Sequence, residues 1–333
     1  MTCPGRGPEV VADAQVNPAG ALLFIINAAS GRHDREGTRV AIETALAVAG
    51  RTGELRFTQP DDLARVAVQA AATATARHTA VVAVGGDGTI NAVAQAAHAA
   101  GCAMGVVPQG TFNYFARSHG IPVEAAEAIR VLLQATPVPV QVGLVNDRVF
   151  LVNASLGLYP ELLQDREAYK VRFGRSRLVA LGAAVVTLLS PHRQLRLRIE
   201  TGGSTREVTT PTLFIANNRL QLEQVGLPHA SALDQGCLAA VTSQPIGALA
   251  LLGLLWRGLQ GRLGEADAVS SFEFHQLVVR PRLALGRRTI KVAFDGEQLR
   301  MRSPVDFRVA PRPLLLLKPV LVAPFCDSES GEA

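Results

Sequence analysis

An apolar run that leads directly into a glycine-rich turn constrains this chain most. Residues 80–84 are uniformly apolar, residues 85–89 are Gly-Gly-Asp-Gly-Thr, and an Ala-rich stretch follows. Glycines let the backbone approach a ligand closely. The N-terminus of the next helix, predicted near Thr89, suits a phosphate. The pattern therefore predicts a phosphate-binding turn between a strand and a helix; the alternative is an ordinary turn in which Asp87 or Thr89 caps the helix.

Similar units surround this turn. Strand-like runs alternate with helical stretches, the strands at 21–27, 54–58, 80–84 and 103–107 and the helices at 39–50, 61–75, 89–100 and 123–134. This alternation predicts βαβ units around a parallel sheet, hence an α/β domain over residues 21–140. Ligands of such sheets bind at the carboxyl ends of the strands.

The pattern changes after the Pro-rich residues 136–139. Short β-type runs follow at 141–145, 148–153, 194–200, 209–216, 238–243, 272–279 and 289–294. They predict an all-β sandwich or barrel over residues 141–310, with helical insertions at 170–189 and 246–263. Residues 1–20 are expected to be a disordered leader, and a tail over 311–333 could return to the first domain.

Composition excludes several classes of protein. Hydrophobic residues make up 48% of the chain, which excludes a disordered or fibrous protein. The longest apolar runs stop short of the roughly 20 residues of a membrane-spanning helix. The four cysteines have no CxxC spacing, so a reducing cytoplasm is expected, without a disulfide framework or a zinc site. The net charge of +5 suits several anionic partners, but the low aromatic content argues against nucleic acid.

Two further loops resemble the first. The strand at 21–27 ends in Asn-Ala-Ala-Ser-Gly at 27–31, and the strand at 103–107 leads into Pro-Gln-Gly-Thr-Phe-Asn-Tyr at 108–114. Gly110 and Thr111 would lie at the same sheet edge as residues 85–89. Three polar, glycine-bearing loops at one edge predict a nucleotide site, although no Walker A sequence or GxGxxG fingerprint occurs.

Two carboxylates are candidates for chemistry. Asp87, within the glycine turn, could hold Mg²⁺ that bridges phosphate oxygens. Glu297 follows an Asp-Gly turn at 295–296. A carboxylate at a turn is most often solvated surface, but phosphoryl transfer to an alcohol requires a carboxylate near the hydroxyl. Glu297 is therefore the candidate base.

The order of these motifs resembles the diacylglycerol kinase catalytic-domain family, which includes bacterial lipid kinases and sphingosine kinases. The resemblance extends over about residues 22–309. It rests on these positions: 27–31, with Ala28 in place of a proline; 85–89, matched in full; 108–114, except at Tyr114; Asn153 and Asn217; and 295–297 with Pro304. The glycine turn alone is shared with NAD kinases, whereas the combination is more specific.

The resemblance implies an ATP- and Mg²⁺-dependent lipid kinase with Glu297 as base, Asp87 at the metal and the lipid held by the sandwich domain. Together with the loops, it gives these cofactor-binding candidates: Asn27, Ser30, Gly31, Thr58, Gly85, Gly86, Asp87, Gly88, Thr89, Asn91, Gly110, Thr111 and Asn113. The acceptor would be a diacylglycerol-like or sphingoid lipid. A cytoplasmic protein in transient peripheral contact with the membrane is expected, and a homodimer stays open.

Two departures from the family pattern leave alternatives. Tyr114 stands where the family has an aspartate, which removes a negative charge beside the reacting groups. Gln235 replaces a carboxylate that binds a second metal in many bacterial members, so Asp234 is the nearest remaining ligand. The alternatives are a soluble kinase similar to NAD kinase and an inactive nucleotide- or lipid-binding module.

Overall fold

The computed structural model describes residues 17, 20–28, 35–157, 194–245, 250, 253–254, 256–257, 260–283 and 288–319. Ser30, Gly31, the insertion expected at 170–189 and half of the one at 246–263 lie outside the described residues. Within the described parts, no helix is long and apolar enough to cross a bilayer. Asn17, in the expected leader, donates its backbone N–H to the carbonyl of His78 at 2.7 Å, so residue 17 already contacts the first domain.

The first domain is built on one six-stranded sheet. Its strands are, in spatial order, Gly53–Thr58 (β2), Leu22–Asn27 (β1), Ala80–Gly85 (β3), Ala103–Pro108 (β4), Leu314–Lys318 (β18) and Thr136–Val140 (β5). Neighbouring strands are parallel except β18 and β5, which are antiparallel. The residues of β3 and β4 are all buried, as is usual for parallel strands that are covered on both faces.

Five described helices accompany this sheet. They are Arg35–Val48 (α1), Leu63–Ala76 (α2), Asp87–Ala100 (α3), Tyr114–Ser118 (α4) and Ala125–Gln134 (α5), and a 3-10 turn, Pro60–Asp62, precedes α2. Alanine has the highest helix propensity, and the small side chains of α2 and α3 let these helices pack closely. α3 ends at Gly101, whose φ of +73° is the left-handed conformation that commonly terminates helices.

The second domain is a sandwich of two six-stranded antiparallel sheets. One contains, in spatial order, Ser204–Thr210 (β10), Leu195–Thr201 (β9), Gln276–Pro281 (β14), Val305–Val309 (β17), Gly143–Val145 (β6) and Arg148–Phe150 (β7). The other contains Val269–Phe274 (β13), Leu238–Ser243 (β12), Thr212–Ala216 (β11), Asn153–Gly157 (β8), Thr289–Phe294 (β15) and Glu297–Arg302 (β16). Apolar residues of both sheets form one core. The predicted fold class, an α/β domain followed by an all-β sandwich, is confirmed.

Several strand predictions were wrong in detail. The single run expected at 272–279 is two strands, β13 and β14, which belong to different sheets, because His275 separates them and redirects the chain. β10, β16 and β17 were not predicted. β10 and β16 are edge strands with mostly exposed residues, so they lack the apolar alternation of a half-buried strand. Cys237 is disulfide-bonded, which the cysteine spacing did not predict.

The end of the described chain completes the first domain. β18 lies between β4 and β5, and Leu316 at its centre is fully buried. β5 is the Pro-rich segment that marked the domain boundary in the sequence; it forms the sheet edge, where proline is tolerated because no ladder bond is lost on the open side. The first sheet therefore needs residues from both ends of the chain.

Two short helices belong to the second domain, and one of them contacts the first. Arg219–Gln224 (α6) begins at Asn218, whose side chain accepts from the backbone N–H of Gln221 at 3.1 Å. Ala230–Asp234 (α7) packs on α6 and on β12. α6 also contacts α4. It is thus one of the elements that join the two domains.

Candidate functional site

The glycine turn lies between β3 and α3. α3 begins at Asp87, two residues earlier than predicted, so the helix N-terminus lies inside the turn. Gly85 is required because a Cβ there would lie 2.6 Å from the hydroxyl oxygen of Thr89. A Cβ on Gly88 would have no neighbour within 4 Å. The turn therefore combines tight packing behind it with open space in front of its helix N-terminus, which suits a phosphate.

The loop after β4 packs directly against this turn. A Cβ on Gly110 would lie 2.9 Å from the Cα of Gly86, so the two backbones meet where only glycine fits. Gln109 donates its backbone N–H to the carbonyl of Gly85 at 2.8 Å. The Asn113 side chain bonds both backbone groups of Gly110, at 2.9 and 3.0 Å, while Asn113 itself has a positive φ of 51°. The predicted convergence of these two loops is what the structure shows.

Asp87 lies between the two loops. Its Oδ2 accepts from the backbone N–H of Asn113 at 3.1 Å, at the N-terminus of α4. Its Oδ1 is buried and has no hydrogen-bond partner among the described residues. Burial raises the pKa of Asp87, and the backbone N–H groups at the start of α4 act in the opposite direction. The carboxylate is therefore held at a fixed position with one buried oxygen that has no partner among the described residues.

The last residues of β1 and β2 lie at the same edge. Asn27 donates from Nδ2 to the hydroxyl of Thr89 at 2.9 Å, which ties the end of β1 to the glycine turn. Thr58 is paired with Asn27 in the sheet and is buried, and its hydroxyl donates to the carbonyl of Gln59 at 3.1 Å. Thr111 is exposed beside Gly110. The described nucleotide candidates, apart from Asn91, thus lie along one edge of the first sheet.

Asn91 has a different position from the one its motif suggested. It is buried, and its Nδ2 donates to the carbonyl of Val149 at 3.1 Å and to Oδ2 of Asp295 at 2.7 Å. Both acceptors belong to the second domain. The amide nitrogen therefore connects α3 to that domain and is not available to a nucleotide.

The Asp-Gly turn joins β15 to β16. Asp295 and Gly296 both have positive φ, 45° and 88°, which is typical of a two-residue hairpin turn. Glu297 is the first residue of β16 and is exposed. Asp295 was predicted only as a turn former, yet its carboxylate is the most highly bonded in the described structure, with four donors. Those donors are 142 to 204 residues away in sequence, so no local signal could have identified them.

Polar side chains of the second domain line the boundary with the first. Asn218 donates from Nδ2 to the carbonyl of Tyr114 at 3.2 Å. The Tyr114 ring stacks on Phe112, with the centroids 5.7 Å apart and the planes at 7°. Asn217 donates to the carbonyl of Leu151 at 3.1 Å. At the position where the family pattern has an aspartate, this chain therefore has Tyr114, which is stacked on Phe112 at the domain boundary.

Asp234 does not join this site. It ends α7 and forms an ion pair with Arg219 at 2.5 Å, with both side chains more than half exposed. Within the described ranges, no group of three or more potential metal ligands exists. Nothing in the described structure adds support to the second metal expected there.

Comparisons with known proteins agree with this geometry. Residues 21–145 match the family model of the diacylglycerol kinase catalytic domain. A Klebsiella pneumoniae protein named probable lipid kinase YegS-like is 35% identical over 117 residues, 34% of this chain and 39% of that protein. A Pseudomonas aeruginosa protein of the same name is 38% identical over 130 residues, 38% of this chain and 42% of that protein. The matches thus span less than half of these relatives.

The fold extends the likeness over most of the chain. A crystal structure described as a diacylglycerol kinase from Bacillus anthracis str. Sterne superposes with a TM-score of 0.65 at 16% identity, and the match covers 90% of this chain and 97% of that chain. At this identity the likeness establishes the fold. Residues 21–145 are therefore similar to the diacylglycerol kinase catalytic domain, the family that the loop motifs resemble.

Proposed function

We propose that this chain is an ATP-dependent lipid kinase that transfers the γ-phosphate of ATP to a lipid hydroxyl. The observation that carries the proposal is the position of Asp87, held between two glycine loops with Oδ1 unpartnered among the described residues. The catalytic domain of residues 21–145 and the lipid kinase relatives support the same chemistry.

The sheet edge would bind the phosphates of ATP. The N-terminus of α3 offers backbone N–H groups and the positive end of the helix dipole. Gly88 leaves this N-terminus uncovered, and the contact between Gly86 and Gly110 keeps the two loops together. Asn27 and Asn113 fix the glycine turn and the loop after β4 by hydrogen bonds, so these two segments need little ordering when ATP binds.

The residues present fit a magnesium ion. Mg²⁺ is usually bound by one or two carboxylates together with substrate phosphates and water, and Asp87 Oδ1, which has no partner among the described residues, would be such a ligand. When bound there, the ion would neutralise charge on the phosphate oxygens during transfer. A cation beside Asp87 would also favour the ionised carboxylate, which offsets the effect of burial on its pKa.

Glu297 would act as the general base. It removes the proton of the lipid hydroxyl as the hydroxyl oxygen forms a bond to the γ-phosphorus, and the bond from that phosphorus to the bridging oxygen of ADP breaks. The proton ends on Glu297 and the electron pair on ADP. Exposure of Glu297 in the described structure leaves it accessible to an acceptor.

The acceptor would be a diacylglycerol-like or sphingoid lipid. With no described helix able to cross a bilayer, we propose that the protein meets this lipid by transient contact with a membrane surface on the cytoplasmic side. The net charge of +5 favours an anionic surface.

A lipid-panel assay tests the proposal. Purified protein is given labelled ATP, Mg²⁺ and vesicles that contain diacylglycerol, a sphingoid base or phosphatidylglycerol. Transfer to one of them is expected, and Glu297→Gln should lower it by roughly 10²- to 10⁴-fold because the base is lost. Glu207→Gln, which changes an exposed carboxylate on β10, is the matched control and should retain activity.

Other outcomes identify the alternatives. Phosphorylation of NAD without lipid would indicate a soluble kinase similar to NAD kinase. Stabilisation of the fold by ATP without turnover on any lipid would indicate a binding module that lost activity with the change at Tyr114. Equal losses in Glu297→Gln and Glu207→Gln would remove Glu297 from the role of base.

A further inference from the structure

The Asp295 carboxylate is saturated by donors from two domains. Its Oδ1 accepts from the backbone N–H groups of Val152 and Asn153 at 2.9 and 3.0 Å. Its Oδ2 accepts from the backbone N–H of Leu151 at 2.6 Å and from Nδ2 of Asn91 at 2.7 Å. A carboxylate with four such bonds is committed to structure and is a poor candidate for a base or a metal ligand. Its function must therefore be to hold its partners.

On the helix side, two residues of α3 hold the backbone of one residue of the second domain. Asn91 donates to the carbonyl of Val149 at 3.1 Å, and the N–H of Val149 donates to Oε1 of Gln95 at 2.8 Å. Asn91 and Gln95 are four residues apart and lie on one face of the helix. Both side chains join the domains, but only Asn91 also bonds Asp295.

On the turn side, Asp295 is fixed through its main chain as well. Its backbone N–H donates to the carbonyl of Asn153 at 3.0 Å, and the next two residues complete the tight turn into β16. Glu297 follows Asp295 by two residues. A displacement of Asp295 would therefore be transmitted to Glu297 over one intervening glycine.

We propose that the hydrogen bond between Asn91 and Asp295 positions Glu297 relative to the phosphate-binding turn. Asn91 lies one helical turn after Asp87, so the bond links the helix that carries the proposed metal ligand to the hairpin that carries the proposed base. Transfer rates are sensitive to displacements of about 1 Å between reacting groups. The inference rests on the proposed kinase function and adds Asn91 and Asp295 to it as positioning residues.

The experiment compares Asn91→Ala with Gln95→Ala in the full chain. Each variant removes side-chain bonds from α3 to the second domain, but only Asn91→Ala removes the bond to Asp295. We expect kcat for the lipid acceptor to fall about 10- to 100-fold in Asn91→Ala and by less than about 3-fold in Gln95→Ala. The Kd for ATP, measured by calorimetry, should change by less than about 2-fold in both.

A second variant separates positioning from general stability. Asn91→Asp keeps the size of the side chain but puts a carboxyl beside Asp295, so the bond forms only when the pair holds a proton. Relative to wild type at the same pH, its kcat should be low at pH 8 and should rise as the pH falls toward 5.5. A merely structural role predicts that the ratio changes only as far as the folded fraction of the variant changes, which urea unfolding at the same pH measures.

The outcomes are distinguishable. Equal kcat losses in Asn91→Ala and Gln95→Ala, or a loss of ATP affinity that accounts for the fall in activity, would overturn the positioning role while leaving the kinase function intact. A kcat of Asn91→Asp that keeps the same ratio to wild type from pH 8 to pH 5.5 would also overturn the positioning role. A wild-type chain that phosphorylates no lipid would overturn both proposals.

Discussion

At the scale of single residues, Asp295 shows how a carboxylate can stabilise a junction between domains and still prefer to hold a proton. Its removal from water raises its pKa to about 6, although the donors from Leu151, Asn153, Val152 and Asn91 act in the opposite direction. An aspartate in an unfolded chain has a pKa near 3.9. The folded state therefore binds the proton more tightly than the unfolded state.

The sign of the pH dependence follows from this difference. Below about pH 4 both states are protonated and the contribution of Asp295 to stability is fully present. Between about pH 4 and pH 6 the unfolded chain loses its proton first, so the free energy of unfolding falls, by up to about 3 kcal/mol for a shift of two units.

Urea unfolding of wild type and Asp295→Asn from pH 4 to pH 7 measures this contribution. The side chain at position 295 does not titrate in the variant. The contributions of titrating groups common to both proteins therefore cancel when the two free energies of unfolding are subtracted. The free energy of unfolding of wild type minus that of the variant should decrease as the pH rises. A difference that stays constant or increases would contradict the raised pKa.

At the scale of elements, the site depends on two loops that touch through glycine. The contact between Gly86 and Gly110 has no room for a side chain, whereas the space in front of Gly88 is open. The three glycines therefore have different functions, although all belong to the phosphate-binding edge. Packing requires Gly86 and Gly110, and access to the helix N-terminus requires Gly88.

Alanine substitutions should separate these functions. Gly110→Ala should lower the free energy of unfolding by about 1–3 kcal/mol, because its Cβ overlaps the Gly86 backbone and the Asn113 side chain. Gly88→Ala should leave stability unchanged or raise it by up to about 1 kcal/mol, since alanine is the better helix former. Both should weaken ATP binding. Chemical denaturation and ATP titration of each variant check this, and equal destabilisation by both would contradict it.

At the scale of the whole molecule, the chain closes its first domain with its last described strand. β18 enters the first sheet between β4 and β5, after the sandwich domain is complete. The residues matched by the catalytic-domain family, 21–145, therefore lack one strand of their own sheet. The nucleotide edge depends on that sheet for the positions of its loops.

The central residue of this strand should matter to stability and to ATP binding. Leu316 is fully buried, so Leu316→Ala should lower the free energy of unfolding by about 2–5 kcal/mol and weaken ATP binding, because the cavity loosens the sheet beside β4. Leu315→Ala, at a half-buried neighbour in the same strand, is the control and should lower the free energy of unfolding by less. Denaturation monitored together with ATP affinity tests this; equal effects of the two substitutions would contradict it.

Local sequence patterns determined the parts of this protein that depend on near neighbours. An apolar run followed by glycines predicts the β3 turn, alanine-rich stretches predict α2 and α3, and an Asp-Gly pair predicts the hairpin before Glu297. Gly85, Asp87 and Thr89 could be placed at one site because a strand and a helix fix them within five residues. These are short-range effects of backbone conformation and helix formation.

Tertiary structure alone decided the rest. Asn91 belongs to the glycine motif in sequence, but its amide bonds a carboxylate 204 residues away. β18 has an apolar pattern that fits any buried strand, and only the space between β4 and β5 assigns it to the first sheet. Asp295 is a turn former by sequence and a junction between domains by structure. In each case the deciding partner is distant along the chain. The residue type determines which kind of contact can form, and the fold determines which residue is the partner.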